Sequence, residues 1–203
     1  MTLVHVVRHG EVENPKKILY GRQRGWYLSK RGEEMAKVLG EWAKPLNIGA
    51  VHASPLERAQ QTAKPMADAH GLEIKTDERL IEAANVFEGK PFGVGDGVLM
   101  RPSAWPKLWN PWRPSWGEPY VEQVNRMLAA IFDARIDANG KDAIVVSHQL
   151  PIWILRSAIE GRRFLHDPRK RICTLASVTS IHFDDDGMIS DLTYSEPAKH
   201  LLP

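Results

Sequence analysis

Val4-His5-Val6-Val7-Arg8-His9-Gly10-Glu11 is an apolar run that ends in a cation, a base and a glycine. A strand that is buried on both faces of a sheet has such a continuous Val/Ile/Leu run. In open α/β sheets ligands bind outside the carboxyl ends of the strands, which is where this run places His9. Arg8 offers a planar fork of donors that suits phosphate or carboxylate oxygens, and Gly10 lets the backbone approach a ligand closely. The stretch therefore predicts an α/β fold and an anion site that contains a nucleophile.

A second apolar run ends in another histidine. Ala143-Ile144-Val145-Val146-Ser147 leads directly into His148. If the two strands are neighbours in a parallel sheet, their carboxyl ends bring His9 and His148 together. The spacing of the two histidines in the sequence would not reveal this pairing.

The length and composition of the chain predict one soluble domain. The 203 residues, of which 43% are hydrophobic, are enough for one substantial core, so we expect a single domain over 1–203. The net charge of +2 is nearly balanced, so attraction to anions must be local, and we expect no nucleic-acid partner. No apolar run approaches the ~18 residues of a membrane span, and the first residues do not resemble a signal peptide. These features favour a cytoplasmic protein without a membrane partner, and they leave the oligomeric state open.

The segment Ser54-Pro55-Leu56-Glu57-Arg58 has the features of a helix start. Ser54 is predicted as the N-cap, Pro55 as the first helical residue, and Glu57 as the residue that completes a capping box. Arg58 then projects from the first turn, beside the positive end of the helix dipole, where it can hold a phosphate. A solvated helix arginine is the alternative interpretation of Arg58.

Two further segments supply candidate pocket residues. The candidates in the polar loop 13–27 are Asn14, Tyr20, Gly21 and Arg22. An ordinary surface loop is the alternative for each of them. In Leu80-Ile81-Glu82-Ala83 the apolar neighbours would raise the pKa of the Glu82 carboxyl by desolvating its charged form, so that it can act as an acid. On spacing alone Glu78 and Glu88 are rivals for that role.

The segment 91–119 differs in composition from its surroundings, since it contains six prolines and four of the seven tryptophans. Prolines at this density prevent regular helix or central strand, and tryptophan rings in a loop need cover. We interpret the segment as an insertion that lies over the site, and the alternative is a small satellite core on a long connection. Its tryptophans are Trp105, Trp109, Trp112 and Trp116.

The remaining chain supplies the other elements of the fold. Apolar residues recur at helical spacing over 30–43, from Tyr120 to Asn139, and in the segment after His148. The end of the chain, 174–194, reads as strand, turn and strand. Before it, 162–171 is a basic stretch that we interpret as a solvated loop rather than as a polyanion site.

Four motifs together resemble the histidine phosphatase superfamily, also called phosphoglycerate mutase-like. In chain order they are Arg8-His9-Gly10-Glu11, Ser54-Pro55-Leu56-Glu57-Arg58-Ala59-Gln60-Gln61-Thr62-Ala63, Glu82 and Val146-Ser147-His148. Four motifs in the right order over nearly the whole chain are far more specific than any one of them. The resemblance implies a three-layer α/β/α sandwich with a mostly parallel central sheet.

The resemblance also implies a role for each motif residue. His9 would be the nucleophile that accepts the phosphoryl group as a phosphohistidine, and Glu82 would protonate the leaving oxygen. The residues that would hold the phosphoryl oxygens are Arg8, Arg58 and His148, with a further contact from Asn14. Cations suit this chemistry because phosphoryl transfer depends mostly on positioning and on neutralising charge. The chemistry requires no metal and no cofactor.

The chain departs from the family pattern beside two motifs. Val12 stands where a hydroxyl residue is common, which removes a possible hydrogen bond to phosphate. Gln149 follows His148 where glycine is usual, so the closeness of the backbone to the phosphate is in question and the Gln149 side chain becomes a candidate substrate contact. Pro151-Ile152 resembles the phosphatase members more than the mutases.

We therefore predict a metal-independent phosphomonoester hydrolase that acts on a small phosphorylated substrate. The alternatives are a phosphoglycerate mutase and a catalytically weak scaffold that binds a phosphorylated ligand. A metallohydrolase built from His9, Glu82 and His148 is disfavoured, because no zinc-ligand spacing such as His-Glu-x-x-His occurs.

Overall fold

The computed structural model describes residues 1–91, 106, 109–110 and 114–203. The described strands form one sheet, and they are β1 (Thr2–Arg8), β2 (Ile48–Ala53), β3 (Ile74–Thr76), β4 (Asp142–Ser147), β5 (Val178–Phe183) and β6 (Ile189–Ser195). The described α-helices are α1 (Lys30–Ala43), α2 (Glu57–His70), α3 (Tyr120–Asp137) and α4 (Gln149–Ile159). Most of the predicted insertion at 91–119 lies outside the described residues, including Trp105 and Trp112.

The sheet has the strand order β3-β2-β4-β1-β5-β6. The first four of these strands are parallel, whereas β5 runs antiparallel to β1, and β6 runs antiparallel to β5. β1 and β4 are neighbours in register, with Arg8 opposite Ser147. His9 and His148 therefore leave adjacent strands at the same edge of the sheet, and the predicted pairing is confirmed.

Both faces of the sheet are covered, which explains the continuous apolar runs. On one face Val4 and Val6 of β1 pack with residues of α3 and α4, among them Met127, Ile131, Ile152 and Leu155. On the other face Val7 of β1 packs with residues of α1 and α2, among them Met35, Leu39, Ala59 and Met66. Burial of one such Val, Leu, Ile or Met side chain contributes roughly 1.5–3 kcal/mol to folding. The predicted three-layer α/β/α sandwich is confirmed.

The two helix starts that the sequence marks turn out differently. For α1, Ser29 caps the helix and accepts a hydrogen bond from the Gly32 backbone N–H at 3.0 Å. For α2 the predicted capping box is wrong, because the helix begins at Glu57 after Leu56, which makes no side-chain cap bond. The Ser54 hydroxyl lies 2.7 Å from Nε2 of His148. A buried imidazole nitrogen left without a partner would cost about 1–3 kcal/mol, which favours this use of the hydroxyl.

Across the residues that the structure describes, no helix is both long and apolar enough to span a bilayer.

Candidate active site

His9 follows β1 and is 2% exposed. Its Nδ1 lies 2.8 Å from the carbonyl oxygen of Gly10. Because a carbonyl can only accept, Nδ1 carries the proton and Nε2 keeps its lone pair. Burial, and then the charges of Arg58 and Arg8, hold the pKa of His9 well below its usual value of 6.5. The ring is therefore neutral at neutral pH, with Nε2 available as a nucleophile.

The loop that follows His9 is fixed against the start of α1. A Cβ atom on Gly10 would lie 2.8 Å from the carbonyl oxygen of Gly32, and one on Gly32 would lie 2.0 Å from that of Glu11. The Glu11 carboxylate accepts a hydrogen bond from the Ser29 hydroxyl at 2.6 Å. Gly10 thus permits a close approach of two backbone segments, where the sequence had suggested a close approach to the ligand.

His148 lies directly beside His9, with their ring centroids 5.1 Å apart. Its side chain is fully buried, and Nδ1 has no hydrogen-bond partner in the described part of the chain. Burial, and then the proximity of His9 and Arg58, hold the pKa of His148 well below 6.5. At neutral pH His148 is therefore a neutral hydrogen-bonding group rather than the cation expected of a phosphate clamp.

Arg8 and Arg58 both lie close enough to His9 for their charges to lower its pKa. Arg8 donates from Nη1 to the Cys173 carbonyl at 2.6 Å. Arg58 is 0% exposed, so the alternative of a solvated helix arginine is wrong. It donates to the Gly21 carbonyl at 2.6 Å, and its guanidinium carbon lies 4.6 Å from the centroid of the Tyr20 ring. Cation–π contact and hydrogen bonds together stabilise this buried charge.

Three of the predicted phosphate ligands keep a buried nitrogen without a hydrogen bond to the described residues. These atoms are Nε of Arg8, Nε of Arg58 and Nδ1 of His148. Unpaired buried atoms also occur elsewhere, for example Nε1 of Trp153, so the absence of a partner is not specific by itself. What distinguishes the three nitrogens is that their side chains gather around one histidine. An anion at that point would satisfy them.

A cavity of about 750 Å³ opens in front of His9. The predicted site residues among its described lining are Arg8, His9, Asn14, Tyr20, Gly21, Glu82 and Gln149. Arg58 and His148 lie behind this surface, fully buried. Glu78 and Glu88, the rivals of Glu82, are also absent from the described lining.

Glu82 has the properties of a proton donor. Desolvation raises the pKa of its carboxyl above the usual 4.5, opposed by a hydrogen bond from the Ala83 backbone N–H and by the charge of Arg58. That N–H donates to Oε1 at 2.9 Å. The backbone of Glu82 is held by Arg22, whose Nε donates to the Glu82 carbonyl at 2.7 Å. Burial thus raises the pKa of the carboxyl group, and the two hydrogen bonds fix Glu82 in place.

The loop candidates differ in what they do. Asn14 lines the cavity, but its amide group exchanges two hydrogen bonds of 2.9 Å with the backbone of Ile18. Arg22 is not part of the described lining, and it also donates to Glu118 at 2.9 Å. Arg22 therefore braces the acid rather than facing the cavity. Gln149 lines the cavity and donates at 3.4 Å to the Cys173 carbonyl, the oxygen that Arg8 also uses.

The interpretation of 162–171 as a solvated loop is wrong at its end. His166 and Arg171 line the cavity, and Nε of Arg171 donates to Nε2 of His166 at 2.8 Å. The sequence signals a cluster of basic residues here, but it does not indicate which of them folds inward. Val12, the other departure from the family pattern, is 8% exposed and forms a β-bridge with Leu28, so it packs the loop.

In the part of the chain that the structure describes, no group of three or more His, Cys, Asp or Glu side chains is arranged to hold a metal ion.

Comparison with known proteins identifies a matching family. The family model described as "Histidine phosphatase superfamily (branch 1)" matches residues 4–194. Among solved structures, "Bacillus stearothermophilus YhfR" superposes with a TM-score of 0.77 at 26% identity, over 94% of this chain and 95% of that one.

Three curated relatives give the range of similarity. "Uncharacterized protein Rv0525" of Mycobacterium tuberculosis is 51% identical over 97% of both chains. "Probable phosphoglycerate mutase GpmB" of Enterobacter sp. is 31% identical over 88% of this chain and 85% of its own. "Phosphoserine phosphatase 1" of Hydrogenobacter thermophilus is 28% identical over 79% of this chain and 77% of its own.

Proposed function

This chain belongs to the histidine phosphatase superfamily, and we propose that it is a metal-independent phosphomonoester hydrolase that works through a phosphohistidine. The observation that carries the proposal is the hydrogen bond from Nδ1 of His9 to the Gly10 carbonyl, combined with the lowered pKa of His9. Together they give a neutral imidazole whose Nε2 lone pair is free to attack phosphorus. We expect the substrate to be a small phosphorylated molecule in the cytoplasm.

In the first step Nε2 of His9 forms a bond to phosphorus as the bond from phosphorus to the ester oxygen breaks. Glu82, which lines the same cavity, gives its proton to the departing oxygen and becomes a carboxylate. In the second step that carboxylate accepts a proton from water as the water oxygen forms a bond to phosphorus and the bond from phosphorus to Nε2 of His9 breaks. Phosphate leaves, His9 returns to its neutral form, and Glu82 is again protonated.

Arg8, Arg58 and His148 would stabilise the charge that develops on the transferring group. Arg8 faces the cavity directly, whereas Arg58 and His148 act from the buried side of His9. In a site from which water is largely excluded, a fixed cation is worth far more than in bulk water. A bound phosphate dianion would also raise the pKa of His148, because its negative charge favours the imidazolium form.

Phosphoglycerate mutase activity is a second candidate, supported by the Enterobacter relative named "Probable phosphoglycerate mutase GpmB". Both activities share the first step. They differ in the acceptor, which is water for a hydrolase and a substrate hydroxyl for a mutase. The relative named "Phosphoserine phosphatase 1" supports the hydrolase.

Phosphate release from a set of phosphorylated metabolites and from 4-nitrophenyl phosphate, in buffer with EDTA, tests the proposal. We expect release of phosphate that EDTA does not reduce. Transfer between the positions of a phosphoglycerate, dependent on a bisphosphate primer and without net release, would establish the mutase instead. Activity that EDTA abolishes and a divalent metal restores would contradict the metal-independent mechanism.

A further inference from the structure

Arg171 is a cation in the wall of the cavity that the mechanism above does not use. It lies two residues before Cys173, whose carbonyl oxygen accepts the hydrogen bond from Arg8. Two residues span at most about 7 Å of chain, so Arg171 approaches the cavity from beside the Arg8 anchor. In the described chain no carboxylate oxygen lies within 4 Å of its guanidinium nitrogens, since no ion pair of this residue is found there.

His166 holds the Arg171 guanidinium in one orientation. Nδ1 of His166 lies 2.5 Å from the Phe164 carbonyl, so this nitrogen carries the proton and Nε2 can accept. Nε2 accepts from Nε of Arg171 at 2.8 Å. The His166 ring is tilted against Trp153, with centroids 5.6 Å apart. With Nε engaged, the two terminal nitrogens of Arg171 remain as a fork of donors with no hydrogen bond to the described residues.

Near Arg171, the described lining of the cavity has no carboxylate that forms an ion pair with it. The lining carboxylate Glu118 is already paired with Arg22 and Arg126, at 2.9 Å and 2.7 Å. Glu82 is the other described carboxyl of the lining, and desolvation raises its pKa and favours its neutral form. Desolvation lowers the pKa of Arg171, opposed chiefly by the charge of Glu82, which acts from beyond ion-pair distance. A desolvated cation that has no carboxylate within ion-pair distance is unfavourable, and an anionic group of the substrate would remove that penalty.

We infer that Arg171, oriented by His166, forms a second anion subsite that binds a carboxylate or a second phosphate on the alcohol part of the substrate. The inference rests on the proposed function, because it divides the cavity into a phosphoryl site at His9 and a leaving-group site at Arg171. The fork geometry of a guanidinium suits the two oxygens of either anion. A substrate with one phosphate and no other negative charge would leave this subsite unused.

Two matched pairs of esters separate the two anion sources. 3-Phosphoglycerate and glycerol 3-phosphate differ by a carboxylate in place of a hydroxymethyl group. Propane-1,3-diol bisphosphate and 3-hydroxypropyl phosphate differ by the second phosphate. We expect the member with the second anionic group, in at least one pair, to have a kcat/KM roughly tenfold or more above that of the member without it, and the pair that shows this identifies the anion.

Arg171→Gln should lower kcat/KM for the preferred ester with a second anionic group by roughly 10- to 100-fold. It should leave kcat/KM for the ester without that group, and for 4-nitrophenyl phosphate, within about twofold of the wild type. The matched control is Arg169→Gln, because Arg169 is in the same loop and forms an exposed ion pair with Asp167 at 2.7 Å. It should behave as the wild type does. Arg171→Lys keeps the charge without the fork and should fall between the wild type and Arg171→Gln.

Equal losses in both Arg171 variants on esters with and without the second anionic group would overturn the inference, as would no preference in either pair. Binding separates this failure from failure of the proposed function. Calorimetry of 3-phosphoglycerate and of propane-1,3-diol bisphosphate with His9→Ala, and with His9→Ala combined with Arg171→Gln, does not require turnover. If no ester is hydrolysed but the double variant binds at least one of the two ligands about tenfold more weakly than His9→Ala does, the proposed function fails and the subsite stands. Equal binding overturns the subsite whatever the activity.

Discussion

At His9, one hydrogen bond to a neighbouring carbonyl determines which ring nitrogen can react. At Glu82, burial in the cavity wall raises the pKa of the carboxyl, so that it keeps its proton to a higher pH than an exposed glutamate does. The two pKa values are shifted in opposite directions: that of His9 lies below its usual 6.5, and that of Glu82 lies above its usual 4.5. At a given pH, His9 is therefore more fully deprotonated, and Glu82 more fully protonated, than the same side chains would be in water.

Glu82→Gln tests the acid directly. An alkyl ester needs a proton on its leaving oxygen, whereas an aryl ester such as 4-nitrophenyl phosphate does not. We expect the variant to lose on the order of 10²-fold or more in kcat for alkyl esters and much less for aryl esters. In the wild type, kcat/KM for the alkyl ester should fall as the pH rises through the Glu82 pKa, above 4.5, and this limb should vanish in the variant.

Equal losses on both kinds of ester would remove Glu82 from the role of acid. Glu78→Gln is the matched control, because Glu78 is an exposed carboxylate a few residues away and is outside the described cavity lining.

Much of the site at residue scale follows from the sequence, because His9, Glu82 and His148 sit at the ends of recognisable apolar runs or among apolar neighbours. The contribution of Arg171 does not follow, since nothing in a basic stretch indicates which side chain folds inward. The sequence also does not predict that His148 is neutral. That neutral state depends on burial and on the charges of groups distant in the chain.

At the scale of elements, β1 and β4 place the two histidines, and the sequence predicts both strands because each is a continuous apolar run. The start of α2 shows the limit of such local signals. The capping-box pattern is satisfied by Ser54, Pro55 and Glu57. The Ser54 hydroxyl is instead hydrogen-bonded to buried His148, which follows β4 and is too distant in the sequence for a local pattern to include it. A tertiary contact of this kind overrides a local preference worth about 1 kcal/mol.

The segment before α3 carries a prediction about selectivity. Trp116 lines the cavity and packs beside Phe87, whereas Trp109 is 74% exposed and is not part of the lining. We expect Trp116→Ala to raise KM for an aryl ester while leaving that for a small alkyl ester little changed, because pockets bind such groups through aromatic side chains. Trp109→Ala is the matched control and should leave both unchanged.

The same test applies to the other two tryptophans of 91–119, Trp105 and Trp112, which lie outside the described residues. If Trp116→Ala lowers the melting temperature and treats all esters as the wild type does, this part of 91–119 is a structural cover. That result would support the satellite-core alternative.

At the scale of the whole molecule, buried histidines make the stability depend on pH in one direction. The histidines whose pKa is lowered, each chiefly by burial, are His5, His9, His52, His148 and His166. The unfolded chain would bind protons to them near pH 6.5, and the folded chain would not. The contribution of these histidines to the free energy of unfolding should therefore be complete above about pH 6.5, and the free energy should fall as the pH drops below that value.

Urea denaturation at pH 7.5, 6.5 and 5.5 measures this slope. Glu82 acts in the opposite sense, since its raised pKa favours the folded state at low pH, but five histidines outnumber it. His148→Gln should make the slope shallower, and His200→Gln, at an exposed position, should not change it. Equal stability at all three pH values would show that the buried histidines do not make stability depend on pH, and so would the same slope in both variants.

The three-layer architecture was predictable because its strands and helices carry strong periodic patterns and because the motifs occur in a characteristic order. The cavity could not be predicted in the same way. Its wall combines loops from 14–21, 82–87, 114–118 and 165–171, which meet only through the fold. Charge balance among these loops, including the pairing of Glu118 with Arg22 and Arg126, is a property of their assembly.

The proposed mechanism requires that His9 becomes phosphorylated during turnover. Rapid acid-free quenching of the wild type with a ³²P-labelled phosphate ester should trap one labelled group that is stable to base and labile to acid, and peptide mapping should place it on His9. His9→Ala should show no label and no turnover, while His148→Ala should slow turnover by on the order of 10²-fold or more. Turnover near the wild-type rate in His9→Ala, or label on another residue, would show that His9 is not the nucleophile.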